Sequence, residues 1–221
     1  VSGVCVWITG GGSGLGAALA RRLAKAGEQV VISGRQGADL SEVAAGQPGI
    51  LPFPLDMSDS SAVRNGVQRI ERDIAQISLA VLTAGPGATP PLSSFDRDRL
   101  RGPSDTGVGS ALNCLGALMP LLRERGYGQV AILPPARGVG DSLAMLGRSL
   151  SRDMAGSGVK IQVLDPDIFK ASASDETDDL TADLILRDLR PERSGSASWF
   201  GWLPPKLRRL PAVLRVRLGL S

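Results

Sequence analysis

The run ITGGGSGLG, Ile8 to Gly16, sets glycines at 10, 11, 12, 14 and 16 between an apolar stretch, VCVWIT, and a segment whose apolar residues recur with helical spacing. Backbone amides at the start of such a helix are not covered by side chains, and the helix dipole favours a negative charge in front of them. A phosphate group is the ligand this chemistry suits. Glycines also serve plain tight turns, so the signal lies in the context: a strand before, a helix after, and the turn between them. Charged residues also follow the next two apolar runs. Arg35 follows the second apolar run, VVIS, and Asp56 with Met57 follows the third, ILPFPL.

The elements that would position these residues alternate along the chain. VCVWIT, QVVIS, ILPFPLD, LAVLTAG, QVAIL and KIQVLDP read as strands. Helical periodicity lies between them: Leu15 to Ala26, around Leu40, Val63 to Ile77, Ser110 to Arg125 and Leu143 to Ala155. Apolar runs without in/out alternation suit strands buried on both faces, and right-handed crossovers then give a parallel sheet with helices on each side. The expected architecture is α/β, a doubly wound parallel sheet in three layers. One domain over residues 1–198 and a basic tail over 199–221 account for the 221 residues.

On these residues the chain resembles the short-chain dehydrogenase/reductase family, from Val1 to about Phe200. Thr9, Gly10, Gly14 and Gly16 reproduce its TGxxxGxG pattern, with Ser13 and Leu15 inside it. The resemblance implies a Rossmann-type fold and a nicotinamide dinucleotide. Gly34 stands where members preferring NAD carry an acid, and Arg35 where members preferring NADP carry a guanidinium that clamps the extra phosphate, which implies NADP. A solvated surface arginine is the plainer reading of Arg35. Asp56 and Met57 fall in the LDxxD segment that holds the adenine ring in the family, with Asp56 accepting from the exocyclic amine, although Asp56 could equally cap its own loop. The family's NNAG becomes Leu82, Thr83, Ala84, Gly85, which keeps the small pair Ala84 and Gly85 beside the cofactor and loses the amide side chains.

The same resemblance locates four missing groups. Family members carry an asparagine in the fifth helix, a serine after the fifth strand, and a tyrosine and lysine one turn apart at the start of the sixth helix. Together these supply a hydroxyl acid or base beside a positive charge. Here Gly107 falls at the asparagine position and Pro135 at the serine position, and the stretch Ala131 to Leu150 contains neither tyrosine nor lysine. Too few residues lie between Pro135 and Arg148 to hold the missing pair, so the resemblance implies their deletion and a truncated sixth helix. Without a gap, Arg148 and Arg152 would stand there, and arginine stays protonated. Tyr127, the single tyrosine, sits in a turn expected at the far end of the sheet. No catalytic residue is assigned. Asp165 and Asp167 invite a reading as an acid pair, but strand-end aspartates more often cap a turn. The expectation is a binding, scaffolding or regulatory protein that holds NADP or an adenine nucleotide; the alternative is an NADPH-dependent oxidoreductase with a non-standard donor, such as water held by Asp165 or Thr83.

Composition narrows the partners. There are 25 basic and 22 acidic residues and no histidine, which argues against nucleic acid and against a zinc or iron site. Cys5 and Cys114, far apart in apolar surroundings, read as reduced core thiols. No apolar run approaches the roughly eighteen residues of a bilayer span, and no signal peptide is evident, so a cytoplasmic setting is expected. The acid-rich segment Asp165 to Glu192, leading into TADLILRDL, resembles the family's mobile substrate-lid helix. The tail 199–221 carries Lys206, Arg208, Arg209, Arg215 and Arg217 and no acid. It suits peripheral contact with the inner membrane face or an acidic protein partner, and equally a helix folded back on the sheet. Loss of front turns from the sixth helix would also remove part of the family's subunit interface, leaving the oligomeric state open.

Overall fold

The structure, a computed structural model, describes residues 3–83, 107–134, 140–164 and 175–189. Ala84, Gly85, Pro135, Asp165, Asp167 and the tail 199–221 lie outside those residues. Six strands, β1 (Val4–Thr9), β2 (Val30–Ser33), β3 (Ile50–Pro52), β4 (Gln76–Thr83), β5 (Gly128–Leu133) and β6 (Val159–Val163), form one sheet in the order β3-β2-β1-β4-β5-β6. Every pairing is parallel. The helices are α1 (Gly14–Lys25), α2 (Gly37–Ala44), α3 (Ser60–Arg69), α4 (Val108–Arg125), α5 (Gly140–Asp153) and α6 (Asp175–Asp188). This is the doubly wound α/β sandwich expected from the alternation. The chain leaves β1 toward β3 and then returns to the other side of β1, so the strand order reverses between β1 and β4, and in folds of this kind ligands bind at the carboxyl ends of the strands at such a reversal.

Two apolar layers hold the sheet. Cys5, Trp7, Val31, Ala80, Leu82, Val130 and Ile132 face α3, α4 and α5 through Val63, Val67, Leu115, Leu118 and Leu143. Val6, Ile8, Val30, Ile32, Val81, Ala131 and Leu133 face α1, α2 and α6 through Leu19, Leu23, Leu40, Ala182 and Ile185. Residues adjacent in a strand thus serve opposite layers, which is why these strands read as unbroken apolar runs.

The helix expected over Val63 to Ile77 ends early. α3 stops at Arg69, widens into a five-residue π turn over Ile70–Ile74, and Ala75 is extended, so Ile77 belongs to β4. Ile70, Ile74 and Ile77 keep helical spacing, and periodicity alone could not place the break. A bulge explains it. Cys5 pairs with Ile77 but Val6 pairs with Leu79, leaving Ser78 as the extra residue, its hydroxyl donating to the Cys5 carbonyl at 3.1 Å. Side chains then satisfy the displaced backbone of Ile77. Its N–H donates to Glu71 Oε1 at 2.8 Å and its carbonyl accepts from Arg125 Nη2 at 2.5 Å. Arg125 and Glu71 pair with each other at 3.2 Å, and the guanidinium lies 4.4 Å from the centre of the Tyr127 ring.

α6 also departs from expectation. The segment resembling a substrate lid packs on α1: Ala182, Ile185 and Leu189 are buried, and Arg22 of α1 pairs with Asp179 at 3.3 Å and Asp183 at 2.9 Å. Its apolar residues recur at helical spacing along one side, so α6 completes a core layer. α5, expected from Leu143 to Ala155, runs Gly140–Asp153. Strands β2, β4, β5 and β6 differ from the sequence reading only at their ends.

Replacing Arg125 by Ala leaves the Glu71 carboxylate without its counter-charge and the Ile77 carbonyl without its guanidinium donor, and is expected to cost about 2–3 kcal/mol. Urea unfolding would show this as a lower midpoint at unchanged slope. Both cysteines are free and buried, and burial pushes each thiol up from 9.0 to about 12, the Glu71 charge adding to the effect at Cys5. The unfolded chain therefore loses these protons near its ordinary value while the folded chain keeps them, so stability falls as pH rises from 9.0 toward about 12. Iodoacetamide at pH 8 should leave both native thiols unmodified and alkylate both in urea.

Candidate nucleotide-binding site

Thr9, last residue of β1, is 3% exposed and closes the seam with β4. Its Oγ1 accepts from the Thr83 N–H at 3.0 Å, and its carbonyl accepts from the Thr83 hydroxyl at 2.5 Å. Thr83 therefore spends its hydroxyl proton on the scaffold, which removes it as a donor toward a substrate.

From this seam the glycines turn the chain into α1. Gly10 has φ +65°, and a Cβ there would sit 2.2 Å from Thr83 Oγ1; one on Gly16 would sit 2.2 Å from the Gly10 carbonyl oxygen. The turn folds onto its own backbone, and only hydrogen fits at these points. Gly11 donates to the Ser33 carbonyl at 3.2 Å, tying the turn to β2. Ser13 takes the N-cap position of α1 in extended backbone, yet its hydroxyl makes no capping bond to the helix. Ser13 and Gly14 are exposed and Leu15 is half-buried, and the first turn of α1 holds no acid. The helix start is thus open to an anion, with a hydroxyl beside it.

Beside the glycine turn, β2 and the loop after β3 carry the next candidate residues. Arg35 is exposed just beyond Ser33. The Leu55 N–H donates to the Gly34 carbonyl at 3.0 Å, bringing the two loops together. Asp56 does cap its own loop: Oδ1 accepts from the Ser58 N–H at 2.9 Å and the Ser58 hydroxyl at 2.8 Å. Those bonds hold its carboxyl below the usual range, with the Arg35 charge a smaller contribution, so at neutral pH it is an acceptor only. Both bonds fall on one oxygen. Asp59 caps α3 through the amides of Ser61 and Ala62 at 2.8 and 3.0 Å.

Two contributors escaped the sequence reading. Asn113 of α4 donates to the carbonyls of Met57 at 2.9 Å and Ser58 at 3.2 Å, pinning the loop that carries Asp56. The one signal for it was an amide between Ala111 and Cys114, two residues of a buried stripe. Trp7, fully buried, donates to Ser33 Oγ at 3.0 Å and locks β1 to β2 under the turn.

Gly107, which the resemblance sets at the family's asparagine position, stands at the N-cap of α4. Arg148 and Arg152 are exposed on α5. Tyr127 lies at the amino end of β5, its hydroxyl donating to the Gln76 side chain at 2.5 Å at the amino end of β4, across the sheet from the glycine turn. Of the lysines, Lys25 ends α1 and Lys160 lies near the amino end of β6; Lys170 and Lys206 fall outside the described residues. Among the described residues, no group of three or more Cys, Asp or Glu could hold a metal. No described helix is long and apolar enough to cross a membrane.

Residues 4–134 match the short chain dehydrogenase family, and the chain belongs to it. Among its relatives, a 2-dehydro-3-deoxy-L-rhamnonate dehydrogenase (NAD(+)) from Sphingomonas sp. (strain SKA58) is 27% identical over 207 residues, covering 88% of this chain and 83% of the relative. The solved structure of a 3-ketoacyl-(acyl-carrier-protein) reductase from Brucella melitensis, complexed with NADH, superposes with a TM-score of 0.67 at 21% identity, covering 74% of each chain. L-sorbose reductase from Gluconobacter frateurii, complexed with NADPH and L-sorbose, gives a TM-score of 0.64 at 22% identity, covering 76% of this chain and 74% of the reductase. At these identities the superpositions establish the shared fold.

Gly16→Ala forces a methyl group into the Gly10 carbonyl and is expected to cost about 2–3 kcal/mol through backbone displacement. Gly116→Ala, on α4 with nothing within 4 Å of the new methyl, should instead stabilise the protein by about 0.5–1 kcal/mol. Thermal melts of the two variants beside the parent chain test the contrast.

Proposed function

We propose that this chain binds a nicotinamide adenine dinucleotide, with preference for the 2′-phosphorylated form, and serves as a binding or regulatory protein that carries out no hydride transfer. One observation carries the binding half. A glycine turn with no room for a Cβ at Gly10 and Gly16 leads into a helix whose N-cap hydroxyl makes no capping bond and whose first turn carries no acid of its own. Thr9, Gly10, Ser13, Gly14, Leu15 and Gly16 would hold the pyrophosphate, Arg35 the 2′-phosphate, and Asp56 and Met57 the adenine, with Ala84 and Gly85 beside the ribose. When bound, the nicotinamide ring of such a cofactor supplies or accepts hydride. What supports the inactive reading is the set of side chains at the family's positions. Gly107 and Pro135 can neither deliver nor take up the proton that accompanies hydride transfer at a carbonyl, and the stretch Ala131 to Leu150 holds no tyrosine or lysine.

The second reading is an NADPH-dependent oxidoreductase with an unconventional donor. It is favoured by the relatives, whose names describe working dehydrogenases. The basic tail 199–221 we assign to an acidic surface, protein or lipid, where a binding protein would be held.

Calorimetric titration of the whole chain with NADPH and NADH, followed by NADPH consumption against a panel of carbonyl compounds, separates the readings. We expect NADPH to bind about tenfold more tightly than NADH, Arg35→Ala to erase that difference, and no carbonyl to be reduced. Turnover that disappears on changing one acid would establish the second reading, and absence of binding would end both.

A further inference from the structure

The loop after β3 is held by bonds of two kinds. Those within it are local and lie at the surface: Ser58 donates twice to Asp56 Oδ1, and the Asp59 N–H donates to the Asp56 carbonyl at 3.3 Å. Exposed bonds of this kind open at little cost in water. The others tie the loop to the rest of the fold. Leu55 donates to Gly34 on one side, and on the other Asn113 of α4 donates through Nδ2 to the carbonyls of Met57 at 2.9 Å and Ser58 at 3.2 Å, 56 and 55 residues away in sequence. A primary amide has two N–H donors, and this geometry commits both to one loop. The helix behind the amide is fixed in turn. Ala111, Cys114 and Leu115 on either side of Asn113 are buried in the layer between α4 and the sheet, so α4 cannot follow the loop if the loop moves.

We propose that Asn113 is a positioning residue of the nucleotide site, acting through Ser58 to hold Asp56 where its carboxylate accepts from the exocyclic amine of adenine. The inference rests on the nucleotide-binding reading above. Ser58 is the joint of this relay: its N–H and hydroxyl hold Asp56, and its carbonyl is held by Asn113. A rotation of Ser58 would release both at once. A hydrogen bond to a charged acceptor is strong, but it weakens steeply as its angle departs from linear, so a carboxylate free to wander loses the power to tell an amine from a carbonyl on the facing base. The effect is confined to that base. The glycine turn takes its shape from backbone packing at Gly10 and Gly16 and does not lean on Asn113.

The test compares the whole chain with Asn113→Leu, which keeps the shape and removes both donors, and with Asn113→Ala. Each is titrated calorimetrically with NADPH and with its hypoxanthine analogue, the same dinucleotide with a carbonyl oxygen in place of the exocyclic amine. The parent should bind NADPH about tenfold more tightly than the analogue. In both variants that ratio should fall to within about twofold, through weaker binding of NADPH and not through a change in the analogue. A role confined to stability would lower the melting temperature and leave the ratio as it is. Linkage supplies a second measurement, made on the parent alone and independent of how either variant folds: NADPH should slow exchange of the Asn113 side-chain amide protons more than the analogue does, by roughly the same tenfold factor. A ratio kept in the variants, or equal slowing by the two ligands, overturns the proposal and leaves nucleotide binding in place, as does a parent that binds both ligands alike. No binding of either ligand by the parent overturns both.

Discussion

The structure turns on the meeting of two threonines. Thr9 and Thr83 close the carboxyl ends of β1 and β4 with a pair of reciprocal hydrogen bonds, one through each side chain. The strand order reverses at this seam. Without the pair, the strand ends would splay and their last backbone groups would lack partners in a dry interior. With it, the Thr83 side chain occupies the space over Gly10, and that contact dictates glycine there. Gly16 follows from Gly10, since its backbone packs on the Gly10 carbonyl. The sequence pattern shared with the short chain dehydrogenase family is, in this chain, a chain of steric necessities that starts at the seam.

Much of this was legible from residues alone. Apolar runs near Val4, Val30, Leu79 and Gln129 announced buried parallel strands, and the glycines between a strand and a helix announced the turn. What periodicity could not show was the end of α3. Ile70, Ile74 and Ile77 satisfy a helical stripe whether or not the helix continues, and the decision fell to Glu71 and Arg125, which accept and donate at the backbone of Ile77. Such tertiary side-chain bonds leave no local trace. The same holds for α6. Its acids suggested a solvated cover over a substrate, and only the position of Arg22, some 150 residues earlier in the chain, turns two of them into a docking face.

The candidate site divides in the same manner. Residues that act through backbone shape, Gly10, Gly14 and Gly16, were readable because few side chains permit that shape. Residues that act through a partner were not. Asp56 carried two readings, and the structure shows the loop cap, with one oxygen accepting both bonds from Ser58. Asn113 sits too far from the family's asparagine position to draw notice, yet its amide fixes the loop that Asp56 depends on. The glycine turn is therefore a matter of backbone geometry, which few sequences can imitate.

The extra residue in β4 has a mechanical meaning. Ile77 and Leu79 are two apart yet point into different layers, because Ser78 absorbs the offset between them. The foot of the strand, clasped by Glu71 and Arg125, is thus geared separately from the portion that ends at Thr83. Length changes in the connection from α3 can be taken up at that joint, and the threonine seam above it keeps its alignment.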